Sequence, residues 1–73
     1  MENWVIWSEE HGGWWMEGAL GYTPSLRHAG RFTEERARLI EDTANRYLPH
    51  GVINEVAMPD PWPQLKQQVE SAH

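Results

Sequence analysis

The stretch Trp4-Val5-Ile6-Trp7-Ser8-Glu9-Glu10-His11-Gly12-Gly13-Trp14-Trp15-Met16 decides how this chain folds. Its first run, Trp4 to Ser8, is aromatic and β-branched with no polar break, which favours a short strand over a helix. Alternation puts Trp4 and Ile6 on one face and Val5 and Trp7 on the other, so both faces are apolar. Such a strand belongs in the interior of a sheet, or turns an outer face to something it binds. Glu9 to Gly13 supplies the reversal, because Gly12 and Gly13 accept positive φ without steric cost. Trp14 to Glu17 returns alongside, and Gly18 closes it. The result is an aromatic hairpin whose cross-strand pairs add roughly 0.2–1 kcal/mol each.

Outward from the hairpin, Gly18 and Gly21 mark a loop from Ala19 to Tyr22. Thr23 to Gly30 reads as a miniature helix: Thr23 suits the N-cap, Pro24 the first turn and Gly30 the exit, with Leu26 and Ala29 facing inward. Thr33 caps the main helix, and Glu34 and Glu35 suit the positive end of its dipole. Ala37, Ile40, Ala44 and Tyr47 or Leu48 recur at helical spacing, and Leu39 and Thr43 widen that stripe. Arg38, Glu41, Asp42 and Asn45 make the opposite, solvated face. Pro49 ends the helix. Val52 to Met58 then forms a third strand, with Val52, Val56 and Met58 on one side. Pro59 to Pro63 is extended, and Gln64 to His73 is weakly helical.

These elements predict an α+β fold: a three-stranded antiparallel sheet, ββαβ with strand order 2-1-3, and one main helix on one face. Residues 1–59 form the domain. Residues 60–73 form a Pro-rich C-terminal tail, expected to be partly disordered.

A chain of 73 residues buries only about 60% of its unfolded surface, so its margin of stability is thin. It has no cysteine, which excludes disulfides and thiolate zinc sites. Five tryptophans, each burying roughly 200 Å², are an efficient substitute. No apolar run approaches the ~20 residues of a membrane span, and Met1-Glu2-Asn3 is acidic where a targeting peptide is basic. A soluble cytoplasmic protein without membrane contact is expected. The net charge is −5, but residues 1–26 carry Glu2, Glu9, Glu10 and Glu17 with no Lys or Arg, whereas the arginines cluster in residues 27–46. The hairpin end is therefore acidic.

Few residues announce chemistry. His11 beside Glu9 and Glu10 is more simply a polar turn than a metal or acid–base site. His11, His28 and His50 converging on a metal is a remoter arrangement, and no metal ligands and no cofactor are assigned. Ser8 near His11 lacks a third orienting group and a glycine elbow. With no phosphate loop or paired catalytic carboxylates, and little room to enclose a pocket, no catalytic residue is expected and a non-enzymatic role follows. Arg27, Arg31, Arg36 and Arg38, near Tyr22 and Phe32, fit a nucleic-acid-binding regulatory domain, although the overall acidity favours surface pairing such as Arg31 with Glu35 and Arg38 with Asp42. The tryptophans are the sharper signal, since Trp, Tyr and Arg dominate binding hot spots. Trp14, Trp15, Glu9, Glu10 and Glu17 are the expected partner contacts, with Trp4 or Trp7 in the core and Trp14, Trp15 or Trp62 exposed. Homodimerisation through the uncovered sheet face is an alternative use of the same aromatics.

Trp7-Ser8-x-Glu10-His11-x-x-Trp14-Trp15, then Gly21-Tyr22-Thr23, Ala29-Gly30-Arg31-Phe32, Ile40 and Ala44-Asn45, resembles a family of very short bacteriophage and mobile-element proteins. The resemblance spans residues 4 to about 58 and leaves out the tail. It carries no catalytic residue. It implies a small accessory protein that docks on a host protein or ribonucleoprotein, including inhibition of a host defence complex such as CRISPR surveillance, a context rather than a physical argument.

Overall fold

Strand β1 (Trp4–Ser8) lies between β2 (Gly13–Trp15) and β4 (Glu55–Pro59) in an antiparallel sheet, and β3 (Tyr22–Thr23) flanks β2. The structure is a computed structural model that describes residues 3–49 and 51–71. The interior position of β1 follows from its two apolar faces: Val5 and Ile6, which point in opposite directions, are both fully buried. The expected 2-1-3 arrangement is present, but the sheet has four strands, in the order β3-β2-β1-β4. The additional strand comes from the segment read as a loop. Gly18 and Gly21 both adopt positive φ, and Met16 N–H donates to the Gly21 carbonyl at 2.9 Å, so the chain reverses tightly and runs back along β2. Thr23 is thus a strand residue rather than a helix cap. The miniature helix shrinks to one 3-10 turn, Leu26–His28.

Pairing sorts the aromatics by face. Trp7 lies opposite Trp14, their rings edge-to-face at 5.0 Å, on the same face as Val5 and Met58. Trp4 and Trp15 lie on the other face and help enclose a core of Ile6, Phe32 and Ala37. Phe32 reaches that core because Trp4 and Phe32 exchange both backbone hydrogen bonds at 2.9 Å. Gly30 makes the approach possible: its N–H donates to the Trp15 carbonyl, and an added Cβ would sit 2.5 Å from Glu17 N. All five tryptophans are half-buried, so the expected division into core and exposed tryptophans does not hold. A large indole spans the small core and still reaches its rim.

Helix α1 (Glu34–Asn45) is capped by Thr33, whose hydroxyl accepts from Arg36 N–H at 3.2 Å. It crosses the sheet over β1 and the outer strand β4 rather than over its centre. This turns its expected faces. Ala37 is buried and Ile40 half-buried, but Ala44 and Tyr47 are exposed, while Glu41 and Asn45, read as solvated, pack inward. The reason is the free edge of β4. Glu41 Oε2 accepts from Ala57 N–H at 2.7 Å, Asn45 Oδ1 accepts from Glu55 N–H at 3.0 Å, and Asn45 Nδ2 donates to the Glu55 carbonyl at 2.8 Å. Pro59, next in that series, has no N–H to offer. Polar side chains belong where buried backbone groups need partners.

Strand β4 begins at Glu55, three residues later than expected. Val52 and Ile53 are exposed, at 50% and 65%, because β1 turns away at Glu9 and leaves them no partner strand. In the tail, α2 (Trp62–Ser71) starts at Trp62, with Pro63 tolerated in its first turn. Asp60 caps it by accepting from Trp62 N–H at 2.9 Å and pairs with Arg31 Nε at 2.7 Å. Arg31 Nη1 also donates to the Leu26 and Ala29 carbonyls. The expected Arg31–Glu35 and Arg38–Asp42 pairs are replaced by Arg31–Asp60, Arg38–Glu34 and Arg46–Asp42. No helix among the described residues is long and apolar enough to cross a membrane.

Candidate functional site

The turn after β1 folds back onto the start of β4, and Asn54 clamps it there. Asn54 accepts from Glu9 N–H through its carbonyl at 2.8 Å and from Glu10 N–H through Oδ1 at 2.7 Å. Its Nδ2 donates to Glu10 Oε2 and to Glu55 Oε1, each at 2.9 Å. One amide thus bridges two carboxylates. Asn45, from α1, holds Asn54 in turn by accepting from its N–H at 3.0 Å.

Glu55 is the buried centre of this cluster, 3% exposed. Ser8 Oγ donates to its Oε1 at 3.1 Å and Trp15 Nε1 donates to its Oε2 at 2.6 Å. With Asn54, that makes three neutral donors on one carboxylate. Every ion pair among the described residues lies elsewhere, so no lysine or arginine pairs with Glu55 or Glu10. His11 Nδ1 lies 3.0 Å from Ser8 Oγ, and its ring stacks on Tyr22 with centroids 3.9 Å apart. Tyr22 meets Trp15 edge-on at 5.9 Å. Partial burial, and then the negative charges of Glu55 and Glu10, push the Tyr22 phenol above the usual tyrosine value.

Ser8, His11 and Glu55 are residue types used in hydrolysis, but their order is wrong for it. In a nucleophilic triad the imidazole stands between the hydroxyl and the carboxylate. Here the hydroxyl stands between the other two, and Ser8 is fully buried.

Next to this cluster is an open groove. Helix α1 lies over β4 and β1, which leaves the β2 side of the helix facing Trp15 across a gap. Trp15, Arg36, Leu39, Ile40, Thr43 and Ala44 line a cavity of about 360 Å³. Leu39 is 62% exposed. The groove is mainly apolar, and Trp15 joins it through Tyr22 and His11 to the acidic turn.

The expected partner contacts do not form one patch. Glu9 and Glu10 are exposed on the turn, Trp15 lines the groove, Trp14 faces the opposite side of the sheet, and Glu17 follows the far end of β2. Of the arginines, Arg31 is half-buried and tied to Asp60, and Arg38 pairs with Glu34 and lies 4.9 Å over the Trp4 ring. Arg27 is exposed on the 3-10 turn, and Arg36 is exposed at the groove. His28 bonds to Ser25, and the convergence of His11, His28 and His50 involves a residue outside those described. The sequence reading gave no site role to Asn54 or Glu55, and it placed Asn45 on the solvated face of the helix and Leu39 on its apolar stripe. The available signal was Asn54-Glu55, two polar residues inside an otherwise apolar strand run.

Compared with known proteins, the chain matches no family model, no curated protein and no solved structure.

Proposed function

We propose that this chain is a non-enzymatic protein-binding module that docks through the Trp15–Leu39 groove and the acidic turn beside it. One observation carries the reading: an open apolar groove of about 360 Å³, walled by Trp15, adjoins a turn whose carboxylates face no basic side chain among the described residues. An apolar pocket with a charged rim is how hot spots are built. Charge complementarity selects the occupant: a segment of a larger protein or ribonucleoprotein that inserts an apolar side chain into the groove and sets Lys or Arg against Glu9 and Glu10. Such charges steer association and choose between partners. The two sheet edges support side-chain docking over strand addition. The outward N–H groups of β4 are bonded by Asn45 and Glu41, and β3 is two residues long. Buried Ser8, between His11 and Glu55, supports a role without catalysis. In the context implied by the resemblance, the concrete form is a phage or mobile-element inhibitor of a host defence complex.

The test compares capture from host lysate by the unaltered chain, Leu39→Asp and Glu10→Lys. A specific partner should be retained by the first, lost by the second, and weakened by the third and by added salt. Recovery of no such partner, or of a partner indifferent to both substitutions, overturns the reading. So does sedimentation showing that a second copy of the chain fills the groove.

A further inference from the structure

We propose that Glu10, His11 and Glu55 form a binding site for one divalent transition-metal ion, with Zn²⁺ the ion best matched to the donors. Each residue offers one ligand atom, and these atoms lie within 4.8 Å of one another. Imidazole with two carboxylates is a zinc-type donor set, and the imidazole favours Zn²⁺ over Mg²⁺ or Ca²⁺. Donors round a single zinc stand roughly 3.3 Å apart at Zn–N and Zn–O lengths of about 2.0–2.2 Å. The closure required is therefore small. Glu10 and His11 are exposed on the turn, each tied by a single side-chain hydrogen bond, and can supply it, while buried Glu55 is the fixed member.

Two further observations point to a cation. The first is charge: a carboxylate 3% exposed and a second one share the amide of Asn54, and no basic side chain pairs with either among the described residues. Burying a carboxylate without a countercharge is costly, and a divalent ion would supply that countercharge. The second is orientation. Metal-binding histidines and carboxylates are held in place by outer hydrogen bonds. Here Ser8 holds His11, Asn54 holds Glu10, and Ser8, Asn54 and Trp15 hold Glu55. Three protein ligands leave a fourth tetrahedral position for water. The ion would join the turn to β4, 44 residues apart in the chain at the Glu10–Asn54 contact.

The experiment is calorimetric titration of the chelator-treated full chain with Zn²⁺, with Mg²⁺ as comparator. The expected result is saturable binding of one Zn²⁺ per chain, much weaker binding of Mg²⁺, and a rise in Tm with Zn²⁺. Glu10→Gln and His11→Gln should each weaken Zn²⁺ by at least about tenfold. Both residues are exposed, so the metal-free variants should keep the circular dichroism spectrum of the parent chain. His28→Gln should change nothing. Absence of saturable binding, unchanged affinity in both the Glu10 and His11 variants, or loss of binding in His28→Gln overturns the site. Such a failure leaves the docking groove untouched, because the groove takes no ligand atom from this set.

Discussion

Helix α1 meets the sheet differently on its two flanks. On the β4 flank the contact is closed by polar side chains, Glu41 and Asn45, which bond the outward backbone groups of the edge strand. On the β2 flank the residues are mostly apolar, and the contact is left open: Trp15 and Leu39 stand on either side of an unfilled groove. Hydrophobicity alone would assign the two flanks the other way round. The difference shows what fixes a helix on a sheet this small. Unpaired backbone groups on an edge strand must find partners, whereas apolar surface can wait for a ligand.

That contrast can be broken by mutation. The largest effect belongs to the closed flank. Asn45→Ala removes one acceptor and one donor serving three hydrogen bonds to Asn54 and Glu55. It should cost about 3 kcal/mol, read as a lower urea midpoint at unchanged m-value. It should also free the β4 edge and promote association at high concentration. Glu41→Ala, which loses one charge-assisted bond to Ala57, should cost about 1–2 kcal/mol in the same assay. A chain whose stability ignored both changes would not depend on the polar closure.

Tyr22 joins the groove to the acidic cluster, and its effect should be smaller and confined to alkaline pH. Burial and the charges of Glu55 and Glu10 raise its phenol in the folded chain, so that chain holds the proton more tightly than the unfolded one. The contribution is therefore full below the usual tyrosine pKa of about 10 and is lost as pH rises through the raised value. Tyr22→Phe should abolish the late-titrating phenol in an ultraviolet titration and flatten the alkaline fall in Tm. A late phenol that survives in Tyr22→Phe would refute the assignment. The smallest effect on stability belongs to the open flank: Leu39→Asp should shift the unfolding free energy by no more than about 0.5 kcal/mol, although the proposed docking should be lost. A large destabilisation there would mean that the groove is core rather than binding surface.

Much of the frame was legible in the chain. Trp4 to Ser8 is apolar on both faces and became the interior strand. Gly12, at positive φ, turned the hairpin, whereas Gly13 already pairs with Ser8 as strand, and Trp7 met Trp14 across it. Thr33 capped α1 as its sequence predicts. The misreadings share one cause. Thr23 looks like a cap, yet pairing with Trp14 makes it strand. Glu41 and Asn45 look solvated because helical periodicity assumes an apolar support, and here the support is the polar edge of β4. The candidate site was visible only in part. Glu10, His11 and Trp15 stood out as a charged, aromatic turn, but Asn54 and Glu55, which organise them, arrive from the other end of the domain.

The sequence alone therefore determined the local elements and the interior place of β1, because alternation, capping and turn chemistry act between residues close in the chain. Only the tertiary structure decided that α1 sits off-centre, that Trp15 faces a groove, and that Glu10, His11 and Glu55 meet. Those outcomes depend on strand order and on which backbone groups the sheet leaves unpaired, and no local periodicity records either.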